Sequence, residues 1–118
     1  SDASAQRIRD EIQQRVGLQV AVIITDTWGR PWRDGVANVA IGVAGIDALR
    51  DYRGMPDDYG REMHATAIAV VDELASAAEL VMGKVDRIPA AIVRGYTYTP
   101  AKGTVQDMIR PPERDIFR

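Results

Sequence analysis

Residues 26–35 read DTWGRPWRDG and crowd two carboxylates, two arginines and both tryptophans of the chain into ten positions. They follow an apolar run, residues 20–24, that reads as a buried strand. A loop leaving a buried strand is where α/β proteins gather ligand chemistry. Carboxylates there can hold a hard divalent cation, and guanidinium forks can hold phosphate or carboxylate oxygens. Asp26 stands at the predicted strand end, where a rigid element fixes a carboxylate well, and it is the best candidate metal ligand. A turn-capping role, bonded to the amide of Trp28 or Gly29, fits the same residue.

Arg30 and Arg33 flank Pro31 and Trp32, so the backbone between them is partly pre-set. Paired guanidinium groups suit a di- or triphosphate. The alternative, exposed ion pairing with Asp34, would be worth only ~0–1 kcal/mol. Trp28 and Trp32 either stack on a flat ring or pack. Asp72 and Glu73 interrupt an otherwise apolar, small-residue helix. Asp72 lines up with Ser76 and Glu79 on a polar flank whose ordinary explanation is a solvated face. Adjacent acids on a helix point about 100° apart, so one can face a site while the other meets solvent. His64 is the single histidine and makes a poor metal or nucleophile argument alone. The charge-dense residues Asp51, Arg53, Asp57, Asp58 and Arg61 read as a solvated connection. Gly83–Lys84 lacks the upstream glycine of a P-loop, and residues 42–45 are not GxGxxG.

The elements that must position these groups follow from periodicity. Ile8, Ile12 and Val16 form an apolar stripe, so residues 3–16 read as an amphipathic helix, with Ser1 or Asp2 as cap and Gly17 as terminator. Residues 18–25 read as a strand, 26–35 as a loop and 36–43 as a second strand. Residues 46–62 carry no clean period and read as a connection with at most short strands or turns. Met63, Thr66, Ala67, Val70, Leu74, Ala77, Ala78 and Val81 make one stripe, so residues 63–82 read as an alanine-rich helix ended by Gly83. Residues 89–93 read as a short buried strand and 96–118 as an extended tail. The expected architecture is α/β in the mixed α+β sense, a small mixed sheet packed against the long helix. Such a sheet needs a partner surface on its other face.

At 118 residues the chain is a single domain able to bury a core. Its hydrophobic content of 46%, charged content of 27% and net charge of −2 are those of an ordinary globular chain. That balance argues against a broad nucleic-acid surface. No window is apolar enough to span a membrane. With no cysteine there is no thiolate site or disulfide framework. No apolar leader core is evident, and the default location is the cytoplasm.

DTWGRPWRDG, VANVAIGVAGIDAL, DYRG, DDYGRE, VVDELASAAELVMGK and IPAAIVRG occur here as six ordered blocks. Together with the tail DMIRPPERDIFR they resemble the coenzyme F-420-0:L-glutamate ligase family, over residues 23–95 and again at the tail. The likeness is to the actinobacterial branch, often fused to a nitroreductase-like domain. The resemblance implies a GTP-dependent γ-glutamyl ligase that joins L-glutamate to a deazaflavin coenzyme precursor through an acyl phosphate. It implies Mg²⁺ or Mn²⁺, with Asp26 as first ligand and Asp72 and Glu73 as further acids. Gly29, Arg30 and Arg33 then fall to nucleotide or substrate phosphate. The family's ligase region extends further toward the N-terminus, so the chain is expected to be part of a larger ligase fold. A homodimer with sites near the subunit junction is expected too. The rival expectation is a non-catalytic dimerisation or docking domain derived from that ligase.

Overall fold

The computed structural model describes residues 2–51, 58–61, 67–100, 108, 109 and 112. Helix α1 (Asp2–Val16) forms as the periodicity predicts, and Gly17 ends it in a left-handed conformation with its amide on the Gln13 carbonyl. Its contact with the rest of the chain differs from the predicted stripe. Ala5 is its buried residue, whereas Ile8 and Val16 stay substantially exposed. Asp2 does not act as a local cap alone: its carboxylate accepts the Val43 amide at 2.8 Å. Arg9 donates from Nε to the Val20 carbonyl at 2.9 Å and lies against Gly45, whose φ of +78° and lack of a side chain permit the approach. A Cβ on Gly45 would stand 2.5 Å from that Nε.

The DTWGRPWRDG segment is not a loop. Strand β1 (Val22–Arg30) runs through Asp26 to Arg30, and strand β2 (Arg33–Ala44) returns antiparallel beside it. Only Pro31 and Trp32 lie outside the two strands, so the segment is the tip of a β-hairpin. Proline holds φ near −65°, which leaves the second turn residue to adopt positive φ. Trp32 does so, at φ 56°. For a residue with a Cβ that conformation costs roughly 1–2 kcal/mol. Arg30 pairs with Arg33 but Gly29 pairs with Val36, so Asp34 and Gly35 bulge from β2. The Gly35 φ of +86° makes the bulge possible, and Arg30 Nη2 clamps it on the Asp34 carbonyl at 2.7 Å. A second irregularity lies between Ile24 and Thr25, which pair with Gly42 and Ala40 and leave Ile41 as an extra residue.

Helix α2 (Val70–Met82) lies along the outer edge of β2. It is shorter than predicted: residues 62–66 lie outside the described residues, and Ala67–Ile68 form a strand, β4, paired antiparallel with β3 (Arg50–Asp51). The buried face is also displaced from the predicted stripe. Of the predicted stripe Val70 is buried and Leu74 packs on the core, but Ala77 and Val81 are exposed, while Val71 and Ala75, outside the stripe, are buried. The reason is the polar flank read as solvated. Asp72, Ser76 and Glu79 turn toward the hairpin and rotate the helix about its axis. Asp72 Oδ1 accepts the Ala40 amide at 2.9 Å, and Ser76 donates to the Asn38 carbonyl at 3.0 Å. Asn38 Nδ2 donates to Glu79 Oε2 at 2.9 Å, and its Oδ1 accepts from the Thr27 hydroxyl at 3.0 Å. Lys84 donates to that hydroxyl from the far end of α2.

The core is Ala40, Val43, Ile46, Ala48 and Val71, with Ala21, Ile23, Leu74, Tyr98 and Met108 packed against it. The architecture is α+β as expected, with the alanine-rich helix against the sheet, but in place of one small mixed sheet there are two two-stranded antiparallel ones, β1–β2 and β3–β4. Residues 89–93 are not a strand but exposed chain without regular structure. Residues 96–100 also lack regular structure, yet Tyr98 packs on the core and the Thr99 carbonyl accepts the Asp47 amide. Among the described residues no helix is long and apolar enough to cross a membrane.

Asn38 is the junction of this polar contact and is buried. Asn38→Ala removes the acceptor of the Thr27 hydroxyl and the donor to the Glu79 carboxylate together, and should lower unfolding free energy by about 1–3 kcal/mol. Lys84→Met, at an exposed position, should change it by less than about 0.5 kcal/mol. Urea denaturation of the two variants measures both. Equal losses would show that the exposed end of the network, rather than Asn38, holds hairpin and helix together.

Candidate functional site at the hairpin tip and the start of helix α2

Because α2 docks on the edge of β2 rather than over a face, an open groove of about 450 Å³ remains between them. Trp28, Gly29 and Arg30 line it from β1, and Ala37, Asn38 and Val39 from β2. Ala69, Asp72, Glu73 and Ser76 close it from the first turns of the helix. Thus Gly29, Arg30, Asp72 and Glu73, four of the six residues expected at a site, meet in one place. More than forty positions of sequence separate the two halves, so only the fold joins them.

Asp26 sits at the margin. Side chains alternate along a strand, which puts Asp26 on the same ladder face as Trp28 and opposite Val39, its partner in the pairing. It is exposed, and its Oδ1 accepts the neighbouring Thr27 amide at 2.8 Å, not the amide of Trp28 or Gly29. Arg33 lies beyond the groove lining, across from Arg30 at the end of the ladder. Two guanidinium groups directly opposed across a ladder repel, a cost that a bound anion would remove. Arg30 is committed on one nitrogen to the Asp34 carbonyl and is not ion-paired with the Asp34 side chain as sequence allowed.

The two helix acids are inequivalent. One oxygen of Asp72 is taken by the Ala40 amide, while Glu73 is exposed at the groove. Acidic side chains in the first turn are favoured there by the helix dipole. Oxygen-only donors of this kind suit a hard cation such as Mg²⁺ or Mn²⁺. Among the described residues, however, no three histidine, cysteine, aspartate or glutamate groups are assembled closely enough to hold a metal. Asp26, Asp72 and Glu73 therefore do not form one closed ligand set within these residues. Phosphate oxygens and water would have to supply much of the coordination, as is usual for Mg²⁺. His64, Arg53 and Asp57 lie outside the described residues.

Asn38 and Ser76 were not singled out as groove residues from sequence. Asn38 had a usable signal, as the lone polar residue within the apolar run VANVAIGVA. Ser76 had a weaker one, one turn beyond Asp72 on the same flank.

Comparison with known proteins agrees with this arrangement of blocks. The family model described as F420-0:Gamma-glutamyl ligase matches residues 1–95. A coenzyme F420:L-glutamate ligase of Methanocaldococcus jannaschii is 49% identical over 118 residues, covering 99% of this chain and 47% of that protein. Its counterpart in Methanothermobacter thermautotrophicus is 48% identical over 120 residues, covering 99% and 48%. The Haloarcula marismortui protein of the same name is 50% identical over 117 residues, covering 98% and 45%. The chain spans about half the length of these curated relatives. With the family model covering most of its residues, the chain belongs to the F420-0:gamma-glutamyl ligase family.

Proposed function

We propose that this chain carries the metal- and phosphate-binding part of a γ-glutamyl ligase that joins L-glutamate to a coenzyme F420 precursor at the expense of GTP. The supporting observation is the groove in which the α2 acids face Gly29 and Arg30 of the hairpin. In the proposed reaction the γ-phosphoryl group of GTP passes to a carboxylate oxygen of the precursor, giving an acyl phosphate and GDP. The glutamate amine then attacks the acyl carbon, the amide forms, and phosphate and a proton leave. Such phosphoryl transfer asks the protein for positioning and charge neutralisation rather than covalent chemistry. Arg30 and Arg33 would hold phosphate oxygens, and the glycine at position 29 lets a phosphate approach the backbone. Asp72 and Glu73, joined by Asp26 from the hairpin face, would hold Mg²⁺ or Mn²⁺. That cation, when bound, supplies neutralisation of phosphate charge. The likeness to the branch fused to a nitroreductase-like domain belongs to the same proposal.

A homodimer forms the second part of the reading. Ile8, Val16 and Leu18 are exposed along and just after α1, as are Leu80, Val81 and Val85 at the end of α2 and beyond. A second copy covering α1 would bury the first of these surfaces. Sedimentation at two concentrations should show a monomer–dimer equilibrium that Ile8→Glu shifts to monomer. Monomer alone at both concentrations would refute the dimer.

Thermal unfolding with Mn²⁺, with and without GDP, tests the site. Ligand at about 100 times its Kd stabilises by about 2.7 kcal/mol, which for a domain of this size raises Tm by on the order of 10 °C. Asp72→Asn keeps an oxygen for the Ala40 amide, so it should leave the unliganded Tm nearly unchanged and remove the Mn²⁺ response. Arg33→Ala should weaken the GDP increment and spare the Mn²⁺ one. A full Mn²⁺ response in Asp72→Asn would place the cation elsewhere.

A further inference from the structure

The hairpin tip is built in a way that folding alone does not favour. A two-residue turn opened by Pro31 needs a left-handed residue next, and glycine or asparagine fills that place with least strain. The residue there is Trp32, at φ 56° and 87% exposed. Its large apolar surface therefore gains little from burial, although its backbone is strained. Trp28, at 57% exposure, lines the groove behind the tip, while Val36, paired with Gly29, falls on the other ladder face. Arg30 and Arg33 close the same turn, opposed across the ladder. A strained, exposed indole in the turn that Arg30 and Arg33 close suits a flat ring that carries phosphate.

We propose that Trp32 is a stacking platform for the heteroaromatic ring of a phosphate-bearing ligand whose anionic group rests on Arg30 and Arg33. The proposal depends on the phosphate role of those arginines advanced above, and it adds the residue that reads the ring. Stacking on an indole tolerates different rings, because each presents a π-face. Guanine and a flavin-like tricycle are both chemically admissible, and the probes distinguish them.

The test is isothermal titration calorimetry of the 118-residue chain with GDP, riboflavin 5′-phosphate or ribose 5-phosphate. All titrations contain EDTA, so the cation site cannot contribute. One of the two ring phosphates should bind, and ribose 5-phosphate, having no ring, should bind at least tenfold more weakly. Trp32→Gly places the favoured residue at the left-handed position, so its Tm should equal or exceed that of the parent. Its affinity for the ring phosphate should fall at least tenfold. Ile92→Ala, exposed and outside the groove, should retain that affinity within threefold.

Unchanged affinity in Trp32→Gly would overturn the proposal, as would equal binding of ribose 5-phosphate or no binding of either ring. A lower Tm in Trp32→Gly would show that the indole packs the tip instead. Loss of the Mn²⁺ response in the parent chain with ring binding intact would count against the cation site alone and leave this inference standing.

Discussion

A two-stranded hairpin leaves an outer row of amides and carbonyls on each strand with no ladder partner. On β2 of this chain that row is satisfied by side chains instead of a third strand. Asp72 takes the Ala40 amide, Ser76 bonds the Asn38 carbonyl, and Asp2 of α1 takes the Val43 amide. The satisfied amides fall on residues 40 and 43, an odd separation that a regular strand could not present on one edge. The extra residue Ile41 changes the parity between them. One bulge thus lets two helices grip the same edge.

The grip decides what the helix can offer chemically. A helix laid across a sheet face would bury its apolar stripe and turn Asp72 outward. Docked by its polar flank, α2 uses Asp72 as a structural acceptor and leaves Glu73 exposed at the groove. Glu79 and Asn38 then extend the contact to Thr27 and Lys84, which ties the end of α2 back to β1. Hydrogen bonds from Asp72, Ser76 and Glu79 thus join the helix wall of the groove to β2. A carboxylate that is half-committed to the backbone is also well oriented, which is what a metal or phosphate site asks of its surrounding residues.

How much of this was legible varied with the physics behind each signal. The stop of α1 at Gly17 was readable because a left-handed terminus demands glycine. The alanine-rich helix was readable from its period, but not the face it buries. Periodicity registers apolar side chains and is blind to a docking face made of Asp72, Ser76 and Glu79. The hairpin was missed for a related reason. Two-residue turns are usually announced by Asn-Gly or Asp-Gly, whereas this one places tryptophan at positive φ. Its Gly35 belongs to the bulge, not the turn. The site residues were legible as types within ordered blocks. Their meeting across the groove was not, since sequence carries no measure of which elements share an edge.

Unusual residues gather at the tip of the hairpin. Within β2 every departure from an ideal strand has a local structural reason: Ile41 resets parity, and Gly35 permits the bulge that Arg30 clamps. Trp32 at positive φ and Arg33 placed opposite Arg30 depart from what turn and ladder prefer, because glycine in the turn and an opposite charge across from Arg30 would both fold more easily. Natural sequences depart from local preference mainly at functional sites. The tip departs twice within four residues, beside a groove whose far wall carries two carboxylates. In the proposed reading, ring, phosphate and cation contacts would follow in order from the turn toward the helix, along the surface that the edge-docked α2 leaves open.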